Sequence, residues 1–121
     1  MARILIAEDD ETTRKLVGFF VENMGHVPIF SPDGQHALET LFADETIDLL
    51  ITDVMMPRLD GRGLITAVRH NPRFQNLPIL VMSAVVGPRE IHDLLKLGAA
   101  RFQCKPLDKI MFEDAVRASL E

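Results

Sequence analysis

Five polar side chains stand directly after short apolar or β-rich runs of this 121-residue sequence, namely Glu8, Asp9, Asp53, Ser83 and Lys105. Clustered carboxylates repel each other, since two unit charges about 4 Å apart cost about 1 kcal/mol in water and about 4 kcal/mol at an effective dielectric of about 20. A hard divalent cation offsets this repulsion, and a lysine ammonium pairs with phosphoryl oxygens. If the five side chains meet, they suit metal-assisted transfer of a phosphoryl group to a carboxylate.

The runs before these residues predict β-strands over residues 4–7, 48–52, 79–82 and 101–104, with a weaker strand over residues 27–30. Apolar residues at helical spacing lie between the strands and predict five helices. Strict alternation predicts an α/β fold with a parallel sheet covered on both faces, because parallel neighbours need a crossover connection. Ligands of such sheets bind outside the carboxyl ends of the strands, where the five polar side chains are expected.

The composition of each run predicts its place in the sheet. Residues 4–7, 49–51 and 79–82 are continuously apolar, which is typical of central strands buried on both faces. Pro28 lacks an amide donor, so residues 27–30 should form an edge strand. Two polar residues in the run 101–104 place that strand at the opposite edge.

Length and composition predict one soluble domain over residues 1–121, standing alone without an output domain. The net charge of -5 disfavours binding to nucleic acid. The apolar runs are shorter than the roughly 20 residues that span a bilayer, and no targeting segment is recognised. A lone Cys104 favours a reducing cytoplasm, and we expect a small buried thiol. We interpret the four histidines, at positions 26, 36, 70 and 92, as surface residues.

Four motifs at the predicted strand ends resemble the response-regulator receiver family, and the resemblance covers essentially the whole chain. The motifs are ILIAEDD at residues 4–10, DVMMPRLDG at 53–61, MSA at 82–84 and CKP at 104–106. Each is weak alone, but all four in order with receiver-like spacing form a specific signal. The resemblance implies a flavodoxin-like (CheY-like) doubly wound sheet of five parallel strands in the order 2-1-3-4-5.

The same resemblance implies a phosphoacceptor and a metal site. Asp53 would be the phosphoacceptor, and Asp9 and Asp53 would be direct carboxylate ligands of Mg²⁺ or Mn²⁺. The Met55 backbone carbonyl would be a third ligand, and Glu8 would act on the metal through water. Asp10 is left outside the ligand set because the family's acidic pair aligns with Glu8 and Asp9.

The resemblance also implies a conformational response and partners. Ser83 would turn its hydroxyl toward the phosphoryl group, Lys105 would pair with a phosphoryl oxygen, and Phe102 would be the aromatic switch residue. The donor would be a phosphohistidine on a sensor histidine kinase or a phosphotransfer protein. The surface of the fourth helix, fifth strand and fifth helix would then act on a downstream protein. Such a domain catalyses only its own phosphorylation and slow dephosphorylation, so it is not an ordinary enzyme.

Several alternatives compete with this interpretation, of which the helix N-terminus alone does not explain the convergence of four strand ends. The acidic run 8–11 could simply favour a helix N-terminus, where carboxylates cap amides and complement the dipole. A phosphatase with an aspartate nucleophile would carry that residue after its first strand, with a second acid two residues later. Here the candidate nucleophile Asp53 follows the third predicted strand, and the residue two positions later is Met55. A flavin-binding electron carrier would need a glycine- and hydroxyl-rich phosphate loop after the first strand, where the acidic residues 8–10 of this chain would repel a phosphate. A receiver-like module that signals without phosphorylation is the main alternative, although the intact Asp53, Ser83 and Lys105 argue against it.

The lifetime of an aspartyl-phosphate depends on a water molecule placed in line with the phosphorus. Side chains two positions after Asp53 and two after Ser83 border that approach, and here they are Met55 and Val85. Neither can orient the water, so we expect slower self-dephosphorylation than in receivers with polar residues there. Replacing Met55 with Asn and Val85 with Glu should speed decay of the phosphorylated protein about tenfold, equal to about 1.4 kcal/mol of barrier. Equal or slower decay after removal of the phosphodonor would contradict this expectation.

Overall fold

A computed structural model describes residues 1–84 and 87–121 of the chain. Strands and helices alternate as the sequence predicts. They are β1 (Arg3–Ala7), α1 (Glu11–Asn23), β2 (Val27–Ser31), α2 (Gly34–Ala43), β3 (Leu49–Asp53), α3 (Gly61–Arg69), a 3-10 turn (Pro72–Phe74), β4 (Ile79–Ser83), α4 (Pro88–Leu97), β5 (Arg101–Cys104) and α5 (Lys109–Leu120). Asp53 and Ser83 are the last residues of their strands, whereas the sequence pattern placed them just after the strand ends.

The five strands form one parallel sheet in the order β2-β1-β3-β4-β5. This is the predicted flavodoxin-like order, with the proline-containing strand at one edge and the polar strand at the other. The register pairs Asp53 with Met82 and Ser83 with Cys104. The carboxyl ends of β3, β4 and β5 therefore lie at the same level, next to one another.

The helices cover both faces of the sheet. Alternate side chains of a strand point to opposite faces, so the central strands supply two separate core clusters. One cluster packs against α2, α3 and α4, and the other packs against α1 and α5. Helix α4 contributes little to this core, because Leu94 is its one buried residue.

Aspartate side chains cap the N-termini of four helices. Each accepts a hydrogen bond from the backbone N–H three residues later, which satisfies a donor that has no partner inside the helix. The four caps are Asp10 for α1, Asp33 for α2, Asp60 for α3 and Asp108 for α5. Helix α4 begins instead with Gly87 and Pro88, without a side-chain cap. The caps on α1 and α3 therefore fix the loops that follow β1 and β3.

The prediction of a small buried thiol was wrong, because Cys104 is exposed. It is the last residue of an edge strand whose two end residues face solvent, so its apolar neighbours in sequence do not enclose it. The prediction of surface histidines fits three of the four, while His26 is partly buried and accepts a hydrogen bond from the backbone N–H of Ala2 at 2.9 Å. Within residues 1–84 and 87–121, no helix combines the length and the apolar character needed to cross a membrane.

One arginine joins three segments on the α3 side of the sheet. Arg69, the last residue of α3, donates from Nε to the carbonyl of Gly98 at 3.0 Å and from Nη1 to the carbonyl of Phe74 at 2.8 Å. Burial lowers the pKa of its guanidinium. Gly98 ends α4 with φ of 126°, and a Cβ there would lie 2.5 Å from Arg69 Cγ, so only glycine accommodates this contact.

Replacing Arg69 with Met should lower the free energy of unfolding by about 1 to 3 kcal/mol, because it leaves two partly buried carbonyls without their charged donor. Urea unfolding followed by circular dichroism measures this change. Arg117→Met is the matched control, because Arg117 pairs with Glu113 and Asp114 on the surface of its own helix. This variant should lose less than about 1 kcal/mol. Equal losses in the two variants would show that Arg69 does not join these segments.

Candidate functional site

The carboxyl ends of four strands bring the predicted polar side chains together. Glu8 follows β1, Asp53 and Ser83 end β3 and β4, and Lys105 follows β5. Glu8 is fully buried, while Asp53 and Ser83 are 7% and 5% exposed. Asp9 is exposed beside them. The site is thus a mostly buried acidic cluster that opens to solvent on the Asp9 side.

Lys105 is the cation at the centre of this cluster. Its Nζ lies 2.7 Å from Glu8 Oε1 and 2.8 Å from Asp53 Oδ2, with its side chain 19% exposed. Its backbone N–H donates to the carbonyl of Ser83 at 2.8 Å, which fixes the end of β5 against β4. Burial lowers the pKa of the Lys105 ammonium, but hydrogen bonds to Asp53 and Glu8 outweigh burial and hold the pKa above its ordinary value. The lysine is therefore a permanent positive charge between two carboxylates.

The carboxylate of Asp53 is held at both oxygens. Oδ1 accepts the backbone N–H of Val54 at 2.7 Å, and Oδ2 accepts Lys105. The main chain at this point packs against α3, where the N–H of Gly61 donates to the carbonyl of Val54 at 2.8 Å. A Cβ at Gly61 would lie 2.2 Å from the carbonyl oxygen of Asp53. The glycine of the DVMMPRLDG motif is thus required by the close approach of α3 to the Asp53 backbone.

Glu8 is buried beside two charged neighbours. Its backbone N–H donates to the carbonyl of Ser31 at 3.0 Å, and its Oε2 accepts the backbone N–H of Asp10 at 3.2 Å. The pKa of the Glu8 carboxyl is raised to about 7, chiefly by burial, which outweighs the lowering by the hydrogen bond from Lys105; the charge of Asp53 adds to the rise. The Asp10 carboxylate turns away to cap α1 through the N–H and hydroxyl of Thr13.

The donor set fits a hard divalent cation. Glu8, Asp9 and Asp53 each offer one carboxylate oxygen, and these three atoms lie within 4.8 Å of one another. Oxygen ligands of this type suit Mg²⁺ or Mn²⁺, which would offset the negative charge that Lys105 alone does not balance. Met55 lies two residues after Asp53 and is 76% exposed, and coordination by its carbonyl stays a prediction.

The predicted switch and lifetime residues occupy different settings. Phe102 is partly buried, packs against the core cluster under α2, α3 and α4, and pairs in register with Val81. Ser83 lies at the site itself, on the strand next to Asp53. Val85 lies outside the described residues. The switch roles of Ser83 and Phe102 and the effect of Met55 on phosphate lifetime stay predictions.

Sequence reasoning missed Arg14. From the first turns of α1, its Nη1 donates to the carbonyl of Glu8 at 2.9 Å and contacts the carbonyl of Asp9 at 3.5 Å. One signal was present in the sequence, because a cation near a helix N-terminus is disfavoured by the helix dipole and needs a compensating partner. Its partners are backbone carbonyls, which no pattern of residue types reveals.

The sequence and the fold are similar to those of known proteins. A family model described as "Response regulator receiver domain" matches residues 4–117. An uncharacterized 14.6 kDa protein of Leptolyngbya boryana is 34% identical over 88% of this chain and 81% of its own length. The Regulator of RpoS of Escherichia coli is 35% identical over 87% of this chain but only 30% of its own length. This chain also spans less than half the length of several other curated relatives that it matches.

Among solved structures, the chemotaxis protein CheY4 of Vibrio cholerae superimposes with a TM-score of 0.92. Its sequence is 25% identical, and the match covers 99% of both chains.

Replacing Asp9 with Ala should reduce the stabilisation that Mg²⁺ gives, because one of the three clustered carboxylates is gone. Without metal, the melting temperature should not fall, because the remaining carboxylates repel less. Thermal unfolding with and without Mg²⁺ measures both effects. Glu22→Ala removes an exposed acid from α1 and serves as the control. If Mg²⁺ raises the melting temperature equally in wild type and Asp9→Ala, Asp9 is not a ligand.

Proposed function

The chain belongs to the response regulator receiver domain family of two-component signalling, and we propose that it is a phosphorylation-dependent switch whose phosphoacceptor is Asp53. The observation that carries this proposal is the placement of the Asp53 carboxylate. It is almost fully buried, held at one oxygen by a backbone N–H and at the other by Lys105, and it shares a cluster with Glu8 and Asp9. This is a fixed carboxylate with charge compensation already in place.

The proposed reaction transfers a phosphoryl group from a phosphohistidine on a sensor histidine kinase or phosphotransfer protein. An Asp53 oxygen forms a bond to phosphorus while the bond from phosphorus to the histidine nitrogen breaks, and the bonding electron pair leaves with the imidazole. Mg²⁺, when bound, supplies positive charge to the transferring phosphoryl oxygens. Glu8, Asp9, Asp53 and the Met55 carbonyl would hold it. Lys105 supplies the chain's own positive charge, exchanging a carboxylate contact for a phosphoryl oxygen.

The surroundings of Asp53 favour holding the phosphoryl group over rapid turnover. Asp53 ends the third strand, and the position two residues later is Met55, whose thioether cannot act as a general acid. An aspartate-nucleophile phosphatase would need an acid there. We therefore propose that the protein catalyses only its own phosphorylation and a slow dephosphorylation.

The proposed output is a change on the surface of α4, β5 and α5. Ser83 would turn toward the phosphoryl group, and the backbone bond from Lys105 to the Ser83 carbonyl links the ends of β4 and β5 to the site. Helix α4 has Leu94 as its one buried residue, so a displacement of this helix would disturb little of the core. We propose that a downstream protein reads this surface in the cytoplasm and that Phe102 moves with it.

Asp53→Asn should abolish phosphoryl uptake and leave the fold intact, because an amide is a poor nucleophile while its oxygen can still accept the Val54 N–H. Intact-mass spectrometry after treatment with acetyl phosphate and Mg²⁺ tests this, with chelated metal and Asp93→Asn as controls. Circular dichroism checks the fold. Phosphorylation of Asp53→Asn would refute the assignment. An unmodified wild type would instead support the module that signals without phosphorylation.

Lys105→Ala should still accept a phosphoryl group but lose the structural response, because the cation that would bind the phosphoryl oxygen is missing. Amide chemical shifts before and after phosphorylation report the response in both proteins. Lys15→Ala, which removes a lysine from a surface pair on α1, should respond like wild type. A response of wild-type size in Lys105→Ala would contradict the role given to this lysine.

A further inference from the structure

Arg14 is a cation in an unusual position. It lies in the first turns of α1, where the helix dipole favours acids, and it forms no ion pair with a carboxylate of residues 1–84 or 87–121. Instead, its Nη1 donates to the carbonyl of Glu8 at 2.9 Å and reaches the carbonyl of Asp9 at 3.5 Å. The guanidinium is thus directed at the backbone of the loop that carries the acidic pair.

That loop holds its two acids in different ways. The side chain of Glu8 is fixed by Lys105 and by the N–H of Asp10. The Asp9 carboxylate is exposed and accepts no hydrogen bond from any donor in the described part of the chain. The direction of the Asp9 side chain therefore depends on the conformation of its backbone. Arg14 Nη1 contacts the carbonyls of the two peptide groups that flank the Cα of Asp9.

We infer that Arg14 is a positioning residue for the metal site, and the inference rests on the metal-dependent function proposed above. By holding the Glu8 and Asp9 carbonyls, Arg14 keeps the Asp9 carboxylate within reach of Glu8 and Asp53 before any cation arrives. Groups that orient ligands in this way typically change metal affinity by 10- to 100-fold. The positive charge of Arg14 acts in the opposite direction, because it repels a divalent cation. The two effects predict opposite signs for the same substitution.

Isothermal titration calorimetry of the full chain with Mg²⁺ separates the two effects. Arg14→Gln should raise the Kd for Mg²⁺ about tenfold, although loss of the charge alone would lower it. Arg117→Gln removes the same charge from α5, away from the site, and should leave the Kd unchanged or slightly lower. Arg14→Lys keeps the charge, but its ammonium lies one bond nearer the backbone than Arg14 Nη1, the single atom that contacts both carbonyls. It therefore reaches them less well, and its Kd should lie between those of wild type and Arg14→Gln.

An unchanged or lower Kd in Arg14→Gln, with wild type binding Mg²⁺, would overturn the inference and leave the proposed function standing. A wild type that binds no Mg²⁺ would overturn the metal-dependent function and the inference with it. If Arg14→Gln does not fold, Arg14→Lys decides the question. Weaker binding than wild type supports positioning, and equal binding overturns it.

Discussion

Two buried carboxylates joined by one lysine are the constraint on which the rest of this structure depends. Transferring an isolated charge out of water is strongly unfavourable, and an unpaired buried charge typically costs about 3 to 5 kcal/mol. Glu8 and Asp53 are tolerated as buried acids at the carboxyl ends of central strands because Lys105 lies between them. That arrangement requires three different strands to end at one level, so the parallel register and the lengths of the strands are tied to the charge balance of the site.

The sequence allowed much of this framework to be predicted, because strand composition reflects burial. Continuous apolar runs marked the central strands, Pro28 marked one edge, and the polar residues of β5 marked the other edge. The convergence of acids, serine and lysine was predicted because the carboxyl ends of all strands in a parallel sheet lie on the same side of the sheet, where ligands bind. The prediction for Cys104 was wrong because side-chain pattern alone does not show which ends of an edge strand are covered.

Contacts between side chains and backbone carbonyls were beyond prediction. Arg14 and Arg69 both bind carbonyls whose positions depend on loop conformation and on the packing of neighbouring helices. Residue spacing carries no information about such partners, because every residue has a carbonyl. These two arginines nevertheless connect elements near the site: Arg14 links α1 to the acidic loop, and Arg69 links α3 to the end of α4. A second link, between Arg62 of α3 and Glu90 of α4 at 3.2 Å, lies near the start of α4.

The exposure of Cys104 has a practical consequence. The chain contains one thiol, at the end of the edge strand that leads directly to Lys105. Its Sγ lies near the carbonyls of Ala84 and Lys105, at 3.6 and 3.4 Å. A fluorescent or paramagnetic reagent that reacts with thiols would therefore attach at a single position beside the face formed by α4, β5 and α5. These 121 residues thus offer a single labelling position from which the proposed conformational response could be followed in real time.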